Sequence, residues 1–309
     1  MLFTFILKWC SRQKRKFFGP NNDDSDLYYP LVQKKKFKDD YILKEQICRG
    51  TFGKVYKCIQ ISTGNEYAVK IMLNKKNLTS VKNEIHILKS VSHPNIVEYK
   101  DSYINETSTH IVTEYCDSSD LFDYVINNDG RIKNEREVIN VVTQILQGLK
   151  YLHSKNIIHR DLKLSNILFH QQKKIKIIDF GLSIIMNDTL KNLEEEVGSI
   201  GFISPEIIMG SYNKSCDLWS VGCITFILLF GFNPFDPTCS NDKQLVYGNI
   251  LKGFRNEDCN GFGAFFPMSI KTSNLSKNFI SGLLTESASR MNVEEALNHP
   301  WLKNNFLFR

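Results

Sequence analysis

From Tyr41 to Tyr115 the chain runs in short stretches rich in β-branched and aromatic residues, cut by glycine and polar turns. Tyr41–Arg49, Lys54–Ile61 and Glu66–Met72 are expected to be strands, divided by Gly50-Thr51-Phe52-Gly53 and Ser62-Thr63-Gly64-Asn65. Val81–Ser90 carries Ile85 and Leu88 on one helical face, and Ile96–Tyr103 and His110–Tyr115 read as two further strands. Beyond Ser119 the period becomes helical, at Leu121–Asn127, Glu135–Ser154, Leu218–Phe230, Lys243–Leu251 and Lys277–Leu284. Strands first and helices second predict an α+β protein of two lobes joined near Glu114–Asp120.

Composition narrows this without redirecting it. In 309 residues, 42% hydrophobic and 23% charged side chains suit a substantial core, which excludes wholesale disorder and a membrane bundle. A net charge of +6, partly held in two basic runs near the start, is too mild to indicate nucleic acid as a partner. The eight cysteines show neither CxxC pairs nor metal-ligand spacing, so free thiols in a reducing, cytoplasmic setting are expected.

Residues 1–40 stand apart. Residues 1–18 combine a short apolar run with Arg12, Lys14, Arg15 and Lys16 flanked by Trp9, Phe17 and Phe18. The run is far short of the roughly 20 apolar residues of a spanning helix. A solvated arm is the preferred reading, ahead of a weak peripheral membrane contact with acylation at Cys10.

The chemistry follows in chain order. Gly50 and Gly53 flank a turn where backbone can approach phosphate, a weak signal alone. Lys70, in an apolar strand, requires an anion, and Glu84 on the next helix is a partner for it. Sharper is His159-Arg160-Asp161-Leu162-Lys163-Leu164-Ser165-Asn166 with Asp179-Phe180-Gly181 behind it. There Asp161 suits acceptance of a hydroxyl proton and Lys163 neutralisation of a moving phosphoryl group, while Asn166 and Asp179 offer the hard oxygens magnesium prefers.

With those motifs in place, the sequence resembles the eukaryotic protein kinases over about Tyr41–Trp301. Ser204-Pro205-Glu206, Asp217-Leu218-Trp219-Ser220-Val221-Gly222 and Arg290 complete the match, and residues 222–235 and 295–301 look like the calcium/calmodulin-dependent group, calcium-dependent kinases of protists and plants included. The resemblance implies a β-rich N-lobe at about 41–115, a mainly helical C-lobe at about 116–301 and a short tail at 302–309. It implies ATP and Mg2+ as cofactors and Ser or Thr of proteins as acceptors, in a monomer. By the same resemblance Ile47, Cys48, Gly50, Thr51, Phe52, Gly53, Val55, Ala68, Lys70, Glu84, Thr113, Glu114, Cys116 and Leu168 line the nucleotide site. Ser199 then stands beside the catalytic pair Asp161 and Lys163, with Asn166 and Asp179 as metal ligands.

Departures qualify the expectation. Cys48 replaces the first loop glycine, Ser165 replaces an acidic residue that reads Arg two places before the acceptor, and Asp120 is retained for a basic residue three places before it. Glu195 falls near the position phosphorylated in many kinases, opposite Arg160, so activity without loop phosphorylation is expected, with Thr189 as the remaining phosphosite. Only eight residues follow Trp301, too few for an autoinhibitory helix or calcium-binding hands. A pseudokinase or scaffold is the alternative, supported by the drift at Cys48 and around Ile200, Phe202 and Ser204.

Overall fold

The computed structural model describes residues 36–50, 53–73, 78–171, 174–186, 193–240, 242–254 and 266–303. The readings of the arm at 1–18, Thr51, Phe52, Thr189 and the tail beyond Lys303 lie outside the described residues.

A four-residue helix, α1 (Phe37–Asp40), leads into β1 (Tyr41–Arg49), β2 (Lys54–Gln60) and β3 (Glu66–Leu73). Next come α2 (Leu78–Ser90), β4 (Tyr99–Ile104) and β5 (Ser108–Glu114). The five strands form one antiparallel sheet in the order β1-β2-β3-β5-β4. Alternation along β3 decides what each face does. Val69 joins Phe37, Tyr41, Cys58, Tyr103 and Val112 in a small aromatic cluster, with Ile71 packed against it. Met72 instead joins Ile111, Ile85 and Leu88 in the main core, so Lys70, two residues before Met72, shares the face that α2 covers.

The second lobe is α3 (Leu121–Asn127), α4 (Glu135–Ser154), α5 (Pro205–Ile208), α6 (Ser215–Phe230), α7 (Lys243–Lys252), α8 (Asn274–Leu283), α9 (Val293–Asn298) and α10 (Pro300–Lys303). Two small two-stranded sheets, β6 (Ile157–Ile158) with β9 (Ile184–Ile185) and the hairpin β7 (Ile167–His170) with β8 (Lys174–Ile177), lie between α4 and α5. In α4 the buried Val138, Val142, Ile145, Leu149 and Leu152 fall at alternating steps of four and three. Asn134 caps its start by accepting from Arg136 N. Each fully buried Leu of this stripe is worth roughly 1.5–3 kcal/mol of burial. Helix α6 is buried on every side from Cys216 to Phe230, the pattern of a core helix around which others pack.

The two-lobed α+β expectation holds, and the deviations have local causes. Helix α6 starts at Ser215 rather than Leu218, because Asp217 receives hydrogen bonds from outside the helix and so does not break it. Helices α2 and α8 gain a first turn, the latter capped by Ser273 accepting from Ser276 N. Strand β4 begins at Tyr99, and Ile96 makes only a single parallel bridge, to Ile177.

Candidate active site

Lys70 is the fifth residue of β3 and lies opposite Ile111 of β5, well inside the sheet. Its Nζ meets Glu84 Oε1 of α2 at 2.7 Å and Asp179 Oδ1 at 2.7 Å. One cation thus joins the sheet, the helix and the loop after β8. Burial alone would lower the Lys70 pKa, but the two carboxylates raise it. Burial likewise pushes Asp179 up, yet the Lys70 ammonium outweighs it and leaves the carboxyl below its usual range. Glu84, deeper and near the Asp179 charge, is shifted upward by burial.

The backbone around Asp179 and Arg160 is strained, with φ of 60° and 66° at residues that are not glycine. Such conformations cost about 1–3 kcal/mol each and persist where surroundings over-determine them. Asp217, buried at the start of α6, accepts from His159 N at 3.0 Å, Arg160 N at 2.9 Å and His153 Nε2 at 2.8 Å. Arg160 Nε donates to Leu182 O at 2.6 Å. Phe180 is fully buried and packs edge-on against His159, with ring centroids 5.1 Å apart.

Asp161 stands at the centre of this loop. Its Oδ1 accepts from Ser199 Oγ at 2.7 Å, and its Oδ2 faces Lys163 Nζ at 3.1 Å and Asn166 Nδ2 at 3.1 Å. Lys163 Nζ also donates to Ser199 Oγ at 2.8 Å, closing a three-membered ring of carboxylate, ammonium and hydroxyl. Asn166 Nδ2 donates to the Asp161 carbonyl at 2.7 Å, which leaves the side-chain oxygen of Asn166 as the atom offered to a cation. The protein kinase domain profile matches residues 41–302.

The chain belongs to the protein kinase family.

Relatives are of one kind. Calcium-dependent protein kinase 5 of Plasmodium falciparum (isolate 3D7) is 36% identical over 281 residues, covering 88% of this chain and 47% of the relative. Myosin light chain kinase A of Dictyostelium discoideum is 35% identical over 277 residues, covering 86% and 88%. Death-associated protein kinase 2 of Mus musculus is 34% identical over 284 residues, covering 87% and 73%. These names fit the calcium/calmodulin-dependent group. The chain spans about half the length of the calcium-dependent relatives it matches.

The remaining candidate residues of this kinase domain lie on β1, β2, β3, β5 and β7 and on the chain that follows β1 and β5. Ile47 and Cys48 are exposed on β1, and Cys48 pairs with Val55 on β2. Partial burial and then the Asp179 and Asp120 charges keep the Cys48 thiol above its usual range. Gly50 N donates to Gly53 O at 2.9 Å, closing the turn. A Cβ on Gly53 would sit 2.5 Å from Ile71 O, so the turn lies too close to β3 for any side chain there. Ala68 pairs with Thr113, and both are half-buried, as are Cys116 and Leu168.

The Glu114 side chain turns to Lys176 of β8, Nζ to Oε1 at 2.6 Å, and the same oxygen accepts from Glu98 N at 2.7 Å. Asp120 caps α3 by accepting from Asp123 N at 2.8 Å, and burial raises its carboxyl pKa. Glu195 Oε2 meets Arg160 Nη1 at 3.2 Å, so the charge opposite Arg160 is in contact with it. Glu206 and Arg290 form a buried bidentate pair.

Three features escaped sequence reasoning. These are the Lys176–Glu114 bridge, the bond from Asn83 Nδ2 on α2 to Ser183 O at 2.8 Å, and the attachment of Glu196 to α7. Each joins residues far apart in sequence whose types carry no spacing signal, so no pattern in one sequence marks them.

Proposed function

We propose that residues 41–302 form a serine/threonine protein kinase that moves the γ-phosphoryl group of ATP to protein hydroxyls without needing loop phosphorylation. What carries this reading is that both halves of the site are assembled together. Lys70 contacts Glu84 and Asp179, while Asp161 contacts Lys163, Ser199 and Asn166. The donor set suits magnesium, because the carboxylate of Asp179 and the amide oxygen of Asn166 are hard ligands from two loops. When bound, the metal neutralises phosphate charge and helps align the triphosphate.

The chain's own residues supply the rest. Lys70 holds the nucleotide phosphates, with Glu84 fixing the ammonium in place. Asp161 orients the acceptor hydroxyl and takes its proton as the new O–P bond forms and the β–γ bridging bond breaks. Lys163 counters the charge of the transferring group, and Ser199 holds the Asp161 carboxylate in line. The contact of Arg160 with Glu195 supplies a permanent charge where other kinases need a phosphate. The Asp120 carboxylate, with one oxygen used in capping, supports a preference for a basic residue three places before the acceptor.

The test uses the full chain expressed in bacteria, phosphatase-treated and verified unphosphorylated by mass spectrometry. Treated protein should phosphorylate Ser or Thr in a peptide library with magnesium and ATP, and Asp161→Asn should lose turnover while keeping nucleotide binding. Equal activity of wild type and Asp161→Asn, or binding without turnover in both, would favour a scaffold. Activity only after phosphorylation of Thr189 would reject the built-in charge.

A further inference from the structure

The acidic run Glu194-Glu195-Glu196 divides its work between two parts of the second lobe. Glu195 turns inward to Arg160, whereas Glu196 turns to α7. There Glu196 Oε1 accepts from Lys243 Nζ at 2.5 Å and from Tyr247 OH at 3.0 Å. Lys243 and Tyr247 are four residues apart and so share one face of α7. The ammonium lies 5.0 Å over the Tyr247 ring, which ties the two donors to each other as well as to the carboxylate.

Helix α7 is a firm base for such a contact. Asp242 caps its start by accepting from Gln244 N and Leu245 N, Val246 and Ile250 are buried, and Asn249 Nδ2 donates to Phe235 O at 3.0 Å. The loop side is held in a graded way. Leu193 exchanges two backbone hydrogen bonds with Tyr212, and the Tyr212 hydroxyl donates to Glu195 O at 2.9 Å. Glu196 is the last side chain with such an anchor before Ser199, whose hydroxyl donates to Asp161. Three residues of chain span at most about 10 Å, so the Glu196 anchor leaves little freedom at Ser199. Between them, Gly198 holds φ of 117°, and a Cβ there would meet Arg160 O at 2.9 Å. The chain thus turns sharply from the α7 contact into the catalytic loop.

We propose that Glu196, Lys243 and Tyr247 form a positioning clamp that sets how well the segment around Ser199 receives the acceptor peptide. This rests on the reading of that segment as the acceptor side of a kinase site. Arg160–Glu195 fixes one point of the segment and α7–Glu196 a second, in a different element. Two anchors fix a direction, which one anchor cannot. An isolated exposed ion pair does little for stability. The clamp therefore acts on the placement of the loop and leaves the nucleotide half, built on Lys70, Glu84 and Asp179, outside its reach.

The experiment measures KM for ATP, KM for the Ser peptide that wild type phosphorylates best, kcat and Tm, in the full chain. Variants are Glu196→Ala, Glu196→Gln, Lys243→Met, Tyr247→Phe and the exchange Glu196→Lys with Lys243→Glu. Glu196→Ala should raise peptide KM about fivefold with ATP KM unmoved, in keeping with a small network of exposed charge. Glu196→Gln, which keeps an acceptor for Tyr247, should fall between it and wild type, and the exchange should recover most of the loss. Unchanged peptide KM in Glu196→Ala and Lys243→Met overturns the clamp. So does a rise in both KM values together with a fall in Tm, which marks a structural role only. A wild type unable to phosphorylate any peptide instead overturns the kinase reading, and so the two failures are distinct.

Discussion

Arg160 is held from two sides by two carboxylates that differ in almost every respect. Its backbone N donates to Asp217, which is 1% exposed and binds three donors with both oxygens. Its guanidinium meets Glu195, whose side chain is 69% exposed and makes one bond of 3.2 Å. A buried carboxylate that satisfies several donors cannot leave without orphaning them, whereas an exposed one exchanges readily with water and salt. The first fixes the strained backbone at His159 and Arg160, and the second sets the direction of a side chain. The contrast separates what the domain must hold in every state from what it can adjust.

Removing Asp217 should have the largest effect. Asp217→Ala leaves His153, His159 N and Arg160 N without their acceptor and should cost about 3–5 kcal/mol, with loss of phosphotransfer. A denaturant melt and a peptide assay check both. Acid should strike the same residue. Burial works to raise the Asp217 pKa, but His153 and the backbone donors hold it below its ordinary value. The stability Asp217 supplies is therefore complete above the unfolded pKa of about 3.9 and is lost as pH falls through the lower folded value. Asp217→Asn, if folded, should show a flatter decline below about pH 4 in unfolding free energy against pH.

The Glu195 side should behave oppositely. Glu195→Lys should reduce kcat/KM about tenfold through repulsion at Arg160, with Tm changed by no more than a couple of degrees. Raising salt from about 0.05 to 0.5 M should weaken wild-type activity in the same direction, while leaving the Asp217 contacts untouched. A Tm loss as large as that of Asp217→Ala would erase the distinction. The smallest effect concerns a buried polar group with neither kind of partner. Ser204 Oγ is fully buried and has no hydrogen bond among the described residues. Ser204→Ala should raise stability by about 1 kcal/mol, read from the denaturant midpoint.

The elements that could be read in the sequence were those with room to show a period. The spacing in α4 places its buried stripe, and alternation in β3 puts Lys70 on the face of α2. The two-residue strands β6 and β9 are too short to show any period, and the polar first turn of α6 hides a helix start. The same division runs through the site. Residues 159–166 and 179–181 are close in sequence and chemically distinctive, so their meeting was legible. At Asp120, placed by its sequence position for a basic substrate residue, the structure adds a capping bond to Asp123 N. Glu196 with Lys243 was not legible, because a lone acid and a lone base 47 positions apart match countless other pairs on a charged surface.

The bridge from Lys176 to Glu114 bears on how the sheet is held against the second lobe. It pins the end of β5 to β8 of the second lobe. Glu114 pairs with Tyr67, whereas the Gly50–Gly53 turn adjoins Lys54, which pairs with Ile71 at the other end of β3. Four residues of strand separate those ends, about 13 Å. The Lys70–Asp179 pair makes a second fastening, three residues along β3 from Tyr67 and beside that turn. Two fastenings on one stretch of sheet define a line, so the first lobe is set against the second in orientation as well as in distance.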